Sequence, residues 1–123
     1  MINEHRIIGI IGSRSRNSSI DYDICEKKFN ELYQDGDWIV SGGCPLGGDN
    51  FAEKIARKLG LTILIHHANW NKYGKSAGFK RNGFIARDSD ILIACVTEDK
   101  KSGTRDTVEK FLLFKNEKDL HLV

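Results

Sequence analysis

Apolar positions along the chain fall into short dense runs that alternate with longer amphipathic stretches. Residues 6–11 carry Ile7, Ile8, Ile10 and Ile11 around Gly9, a β-branched run with apolar side chains on both faces. That pattern predicts a strand buried in a parallel sheet. A polar loop follows from Gly12 to Asn17, with Asn17, Ser18 and Ser19 as candidate helix caps. Ile20, Ile24, Lys27, Phe29, Leu32 and Tyr33 then recur near helical spacing. Asp35-Gly36-Asp37 ends that helix and opens a second strand over 38–40. Glycines 42, 43, 47 and 48 form the next loop, before a helix over 49–59 with Phe51, Ala52, Ile55, Ala56 and Leu59 on one face. Gly60 stops it. A third strand over 62–66 runs into an atypical segment, 68–79, and a short helix over 80–87 leads to a fourth strand over 90–96. A polar loop from Thr97 passes through Gly103, a last helix covers 104–115, and an edge strand covers 119–123.

The order is β-α-β-α-β-α-β-α-β. Strands separated by helices need crossover connections, and right-handed crossovers build a parallel sheet covered on both faces. The expected architecture is therefore α/β: a Rossmann-like three-layer sandwich whose mostly parallel sheet has about five strands. The 123 residues make one domain, and no repeat, linker or low-complexity stretch interrupts them.

Composition narrows the function classes. The hydrophobic fraction of 40% and charged fraction of 29% are ordinary for a globular protein. Nineteen basic against 17 acidic side chains give a formal charge of +2, too balanced to argue for nucleic-acid or membrane binding from bulk electrostatics. No apolar run approaches the ~20 residues of a membrane helix, and polar residues 1–6 do not resemble a signal peptide. Cys25, Cys44 and Cys95 are odd in number, far apart and without CxxC spacing, which reads as reduced thiols in a cytoplasmic protein. His66 and His67 fall at the end of a predicted strand, where neighbours point to opposite faces. No metal and no cofactor are expected.

In an open doubly wound sheet, ligands bind beyond the carboxyl ends of the strands, near the point where strand order reverses. Glycine is densest in the loops that follow strands: Gly12-Ser13-Arg14-Ser15-Arg16, then Ser41-Gly42-Gly43-Cys44-Pro45-Leu46-Gly47-Gly48-Asp49, and Gly103-Thr104 at the last helix. Glycines let backbone amides approach an anion, and a helix N-terminus adds partial positive charge. The loops match neither the GxGxxG fingerprint nor the Walker phosphate loop, and no GxSxG elbow occurs. Classical hydride transfer, ATP hydrolysis and serine-hydrolase chemistry are disfavoured. Arg14, Lys75 and Arg81 are the cations placed for an anionic ligand, with arginine offering bidentate bonds to phosphate. Trp70 and Tyr73 share a loop with Lys75, either to stack a base or to plug the end of the core.

Taken together, these blocks resemble the SLOG superfamily, most closely its YspA-like branch, whose relatives include the LOG phosphoribohydrolases, the DprA domain and SLOG sensor domains. The resemblance rests on Gly12-Ser13-Arg14, on Ser41-Gly42-Gly43-Cys44-Pro45 running to Gly48-Asp49-x-x-Ala52-Glu53, on Asn69-Trp70-x-x-Tyr73-Gly74-Lys75-x-Ala77-Gly78 leading to Arg81-Asn82, and on Ser102-Gly103-Thr104. It implies a nucleotide-related ligand held between the two glycine-rich loops, with Ser41, Gly42, Gly43, Gly48, Trp70, Asn82 and Thr107 among the binding residues. Hydrolytic LOG proteins look like Gly-Gly-x-Gly-Thr-x-x-Glu at the last loop, and Thr107 stands at the glutamate position here. Asp106 and Glu109 are turned about 100° and 200° away by the helical repeat. Glu53 lies near the glycine loop, and Asp49 either caps its helix, the preferred reading, or holds a ribose hydroxyl.

The leading expectation is a binding module that senses or sequesters an ADP-ribose-like molecule or a nucleoside monophosphate. The second is a nucleotide N-glycosidase using Asp49, Glu53 or Asp106. The third, single-stranded DNA binding in the manner of DprA, is weakened by the near-neutral charge. Phe111, Leu112, Leu113 and Phe114 crowd the last helix, which points to a homodimer or higher homo-oligomer.

Overall fold

Successive buried side chains of each central strand point to opposite faces, and that alternation sorts the core onto two sides of one sheet. The computed structural model describes residues 5–98 and 102–123. The readings of a polar segment over 1–6 and of a polar loop over 97–103 fall in part on 1–4 and 99–101, outside the described residues. Strands β1 (Ile7–Gly12), β2 (Trp38–Ser41), β3 (Ile63–Ile65), β4 (Ile91–Cys95) and β5 (Leu120–Leu122) form a five-stranded sheet of order β3-β2-β1-β4-β5. Every pairing is parallel. The chain builds outward from β1 through β2 to β3, then crosses to the other side of β1, so the order reverses between β1 and β4. This is an α/β three-layer sandwich of Rossmann-like type.

The two helical layers follow from that alternation. Ile8, Ile10, Ile39, Ile91 and Ile93 point to one face and pack with Phe29 of α1 (Ser19–Leu32) and Ala52, Ile55 and Ala56 of α2 (Gly48–Leu59). Ile11, Val40, Leu92 and Ala94 point to the other and pack with Ile85 and Ala86 of α4 (Ala77–Asp88) and Val108 and Phe111 of α5 (Gly103–Phe114). Burying each such Ile, Leu, Val or Phe side chain is worth roughly 1.5–3 kcal/mol. Helix α1 starts at a capping box, Ser18 Oγ accepting from the Asp21 amide while the Asp21 carboxylate accepts from the Ser18 amide. Helix α2 stops at Gly60, which is left-handed at φ 66°.

The segment read as an irregular loop over 68–79 is largely helical. It forms the short α3 (Trp70–Tyr73), a 3-10 turn over Gly74–Ser76, and the first residues of α4. Gly74, Gly78 and the polar residues around them hide the helical period, so the fourth helix begins at Ala77 rather than near Lys80. His66 and His67 sit just past β3 rather than in it, and the His66 Nε2 to Asp88 Oδ2 distance is 2.6 Å. On α5, Phe111 is buried whereas Leu112, Leu113 and Phe114 are exposed. No described helix is long and apolar enough to cross a membrane.

Candidate functional site

A cavity of about 320 Å³ opens at the carboxyl edge of the sheet, lined from four directions. Residues 11–14 come from the end of β1 and the loop after it, Cys44 from the β2–α2 connection, Asp49 from the start of α2, Arg81, Asn82 and Ile85 from α4, and Ser102, Gly103, Thr104 and Thr107 from the N-cap and first turns of α5. The β1–β4 reversal is the switch point of this topology, the place where open α/β sheets receive ligands.

Close backbone approach makes the wall. A Cβ on Gly48 would lie 2.1 Å from the Ile11 carbonyl carbon and 2.3 Å from the Gly12 amide nitrogen, so α2 begins directly against the end of β1. The β1–α1 loop is fixed by the Ser13 amide donating to the Cys95 carbonyl (2.9 Å), and Asn17 Oδ1 accepts from the Gly47 amide (2.8 Å). Between these ties, Arg14 is exposed and, among the described residues, has no hydrogen-bond or ion-pair partner.

Asp49 is 8% exposed and does not cap α2, whose N-cap is Gly47, a residue with no side chain to accept from the first-turn amides. Its carboxylate turns back on its own loop instead. Ser41 Oγ donates toward Oδ1 (2.9 Å) and the Cys44 amide donates to Oδ2 (3.1 Å). Burial pushes the carboxyl above its ordinary value, opposed by those bonds, by the nearby Arg81 guanidinium and by the Gly42 amide. Arg81 Nη1 donates to the Gly42 carbonyl (2.8 Å) and its Nε to Asn82 Oδ1 (2.9 Å), which ties α4 to the glycine loop.

The fourth wall is the first turn of α5. Ser102 caps it, its Oγ accepting from the Arg105 amide (3.1 Å). Amides at the start of a helix have no intrahelical acceptor and carry the positive end of the dipole. Thr107 Oγ1 is committed to the Gly103 carbonyl (3.0 Å), and Asn82 Nδ2 donates to Asp106 (3.1 Å), which also pairs with Lys110 (2.7 Å).

Of the residues singled out from the sequence, the structure brings Gly12, Ser13, Arg14, Asp49, Arg81, Asn82, Ser102, Gly103, Thr104 and Thr107 to the cavity. Ser41, Gly42 and Gly48 stand behind the lining, where they hold Asp49, Arg81 and the end of β1, while Gly43 lies against Ile65 and His67. Trp70 and Lys75 lie outside it, because 70–76 coils along α4 instead of reaching over the rim. Asp106 is turned to Asn82 and Lys110, and Glu53 lines a separate groove with Arg57, Gly60 and Leu61. Cys44, Ile11 and Ile85 line the cavity without having been singled out. Cys44 had a signal, its place in the turn between the two glycine pairs. Among the described residues, no three His, Cys, Asp or Glu side chains gather as a metal would need. No family model, no curated protein and no solved structure matches the chain.

Proposed function

We propose that this chain is a SLOG-like module that binds a nucleotide or nucleotide-derived signal, ADP-ribose-like or a nucleoside monophosphate, and senses or sequesters it. The observation that carries the reading is the convergence of the α5 first turn, the Gly12-Ser13-Arg14 loop and the Arg81 guanidinium on one cavity, with Arg14 unpartnered among the described residues. Backbone amides, a helix N-terminus and two guanidiniums together suit a phosphate group. The volume sits at the lower end of the ~300–1,000 Å³ of small-molecule sites, which fits a mononucleotide and makes a longer ligand extend through the open mouth. Three unpaired cysteines fit a reducing, cytoplasmic setting. The exposed Leu112, Leu113 and Phe114 are read as a self-association face, which light scattering after size exclusion tests.

A specific observation favours a second reading, nucleotide N-glycosidase. Asp49 is a carboxyl on the cavity wall whose proton affinity is raised, a property that suits proton transfer to a departing base. Binding is preferred because Asp49 is already engaged by its own loop and Thr107 offers no carboxylate. Calorimetric titration with AMP and ADP-ribose, run beside chromatographic detection of released base, separates the two. Saturable binding without base release supports the module. Turnover abolished by Asp49→Asn supports the hydrolase, and neither binding nor turnover overturns both.

A further inference from the structure

We infer that the outward face of α3 and α4, away from the cavity, is a platform for single-stranded nucleic acid. Helix α4 has two working sides. Arg81, Asn82 and Ile85 face the cavity, whereas Phe79, Lys80, Phe84 and Arg87 lie on the solvent side of the same helix. Trp70, Phe79 and Phe84 are 59%, 56% and 43% exposed, a density of bare aromatic rings that core packing does not require. Cations accompany the rings. The Lys72 and Lys80 ammonium groups lie 5.1 and 4.8 Å from the Tyr73 ring centroid, Arg87 lies 5.0 Å from that of Phe84, and Lys110 lies 5.5 Å from that of Phe79.

Charge segregation supplies the second argument. No acidic residue occurs between Glu53 and Asp88, while Lys72, Lys75, Lys80 and Arg87 of the outward face fall inside that stretch. The near-neutral total therefore conceals a cationic strip. Asp88 pairs with Arg87 (3.0 Å) and Asp106 with Lys110 (2.7 Å) at its margins, so Lys72, Lys75 and Lys80 are its principal charges without an ion-pair partner among the described residues. A second copy of this chain does not fit the same face, because an isologous contact would set this strip against itself. A bilayer fits less well than a nucleic acid, since the exposed apolar groups on the strip are rings rather than aliphatic chains. Rings that stack any base, interleaved with lysines that meet phosphates, are what sequence-tolerant binding of single strands needs.

The test is fluorescence anisotropy of a labelled oligothymidylate without a 5′-phosphate, titrated with the full chain from low to physiological salt. The expected slope of log K against log salt is about −2, for three phosphates neutralised on a single strand. Trp70→Ala is expected to weaken binding by about tenfold, and the Lys72→Glu/Lys80→Glu pair to abolish it. Arg14→Ala is expected to leave it unchanged, which separates this face from the cavity. The substituted residues are exposed or at the surface, and thermal unfolding verifies that the variants fold. Absence of binding at the lowest salt, equal binding by the charge-reversed pair, loss on Arg14→Ala alone, or preference for anionic vesicles over the oligonucleotide would each overturn the inference.

Discussion

The Ser41 hydroxyl lies 2.9 Å from Asp49 Oδ1 and 2.6 Å from the Ile10 carbonyl, two acceptors facing one hydrogen. An amide at position 49 resolves that competition: its NH2 donates to Ser41 Oγ, Ser41 donates to Ile10, and its oxygen accepts from the Cys44 amide. Asp49→Asn is therefore expected to be at least as stable as the parent at neutral pH. Asp49→Ala leaves the Cys44 amide without its acceptor and is expected to cost about 1–3 kcal/mol. The sign with pH follows from the raised carboxyl. The folded state holds a proton the unfolded chain has lost, so stability falls as pH rises from the ordinary 3.8 through the folded value. Urea unfolding across that range should show the slope in the parent and a flatter profile in Asp49→Asn. Parallel profiles would remove Asp49 as its source.

Gly48→Ala is expected to destabilise the fold by about 3 kcal/mol or more, at the upper end of overpacking costs, because the new Cβ meets backbone and not a side chain able to swing aside. Denaturant titration measures it. A loss below about 0.5 kcal/mol, the range of an ordinary surface substitution, would contradict the close β1–α2 contact.

Arg14→Ala is expected to leave thermal stability unchanged, since the side chain is exposed and unpartnered among the described residues. The same change should weaken nucleotide binding about tenfold or more, the worth of a charge-assisted hydrogen bond. Unaltered affinity by calorimetry would remove Arg14 from the site.

The three thiols should separate by access. Cys25 and Cys95 are fully buried together beside Phe51, whereas Cys44 is half-buried on the cavity wall. A thiol-reactive chromophore is expected to label Cys44 in the native protein and the other two only on unfolding, and nucleotide should slow the Cys44 reaction. Equal rates for all three would contradict the packing.

The sequence disclosed the layer order because strands β1 to β4 carry apolar residues on both faces, as with Ile10 and Ile11, and the long helices on one. It disclosed the cavity wherever a residue follows a strand directly or opens a helix, as Gly12, Ser13, Arg14, Gly103 and Thr104 do. It misplaced Trp70 and Lys75 because glycines within 70–79 mask two helical pieces, and only tertiary packing against α4 decides their direction. The role of Asp49 was equally hidden. An aspartate in the first turn of a helix fits a dipole or capping reading, and nothing local reveals that Ser41 and the Cys44 amide claim it first. The contact of Cys25 with Cys95, seventy positions apart in the chain, exists only once α1 packs beside β4.

On the proposed reading, an anionic nucleotide seats against the α5 first turn and the β1–α1 loop. Amide NMR spectra of the labelled protein, followed while AMP or ADP-ribose is added, test it most directly. The expected result is saturable shifts concentrated at Ser13, Arg14, Gly103 and Thr104, lost in Arg14→Ala. Saturable shifts gathered elsewhere, or none at any nucleotide concentration, would contradict it.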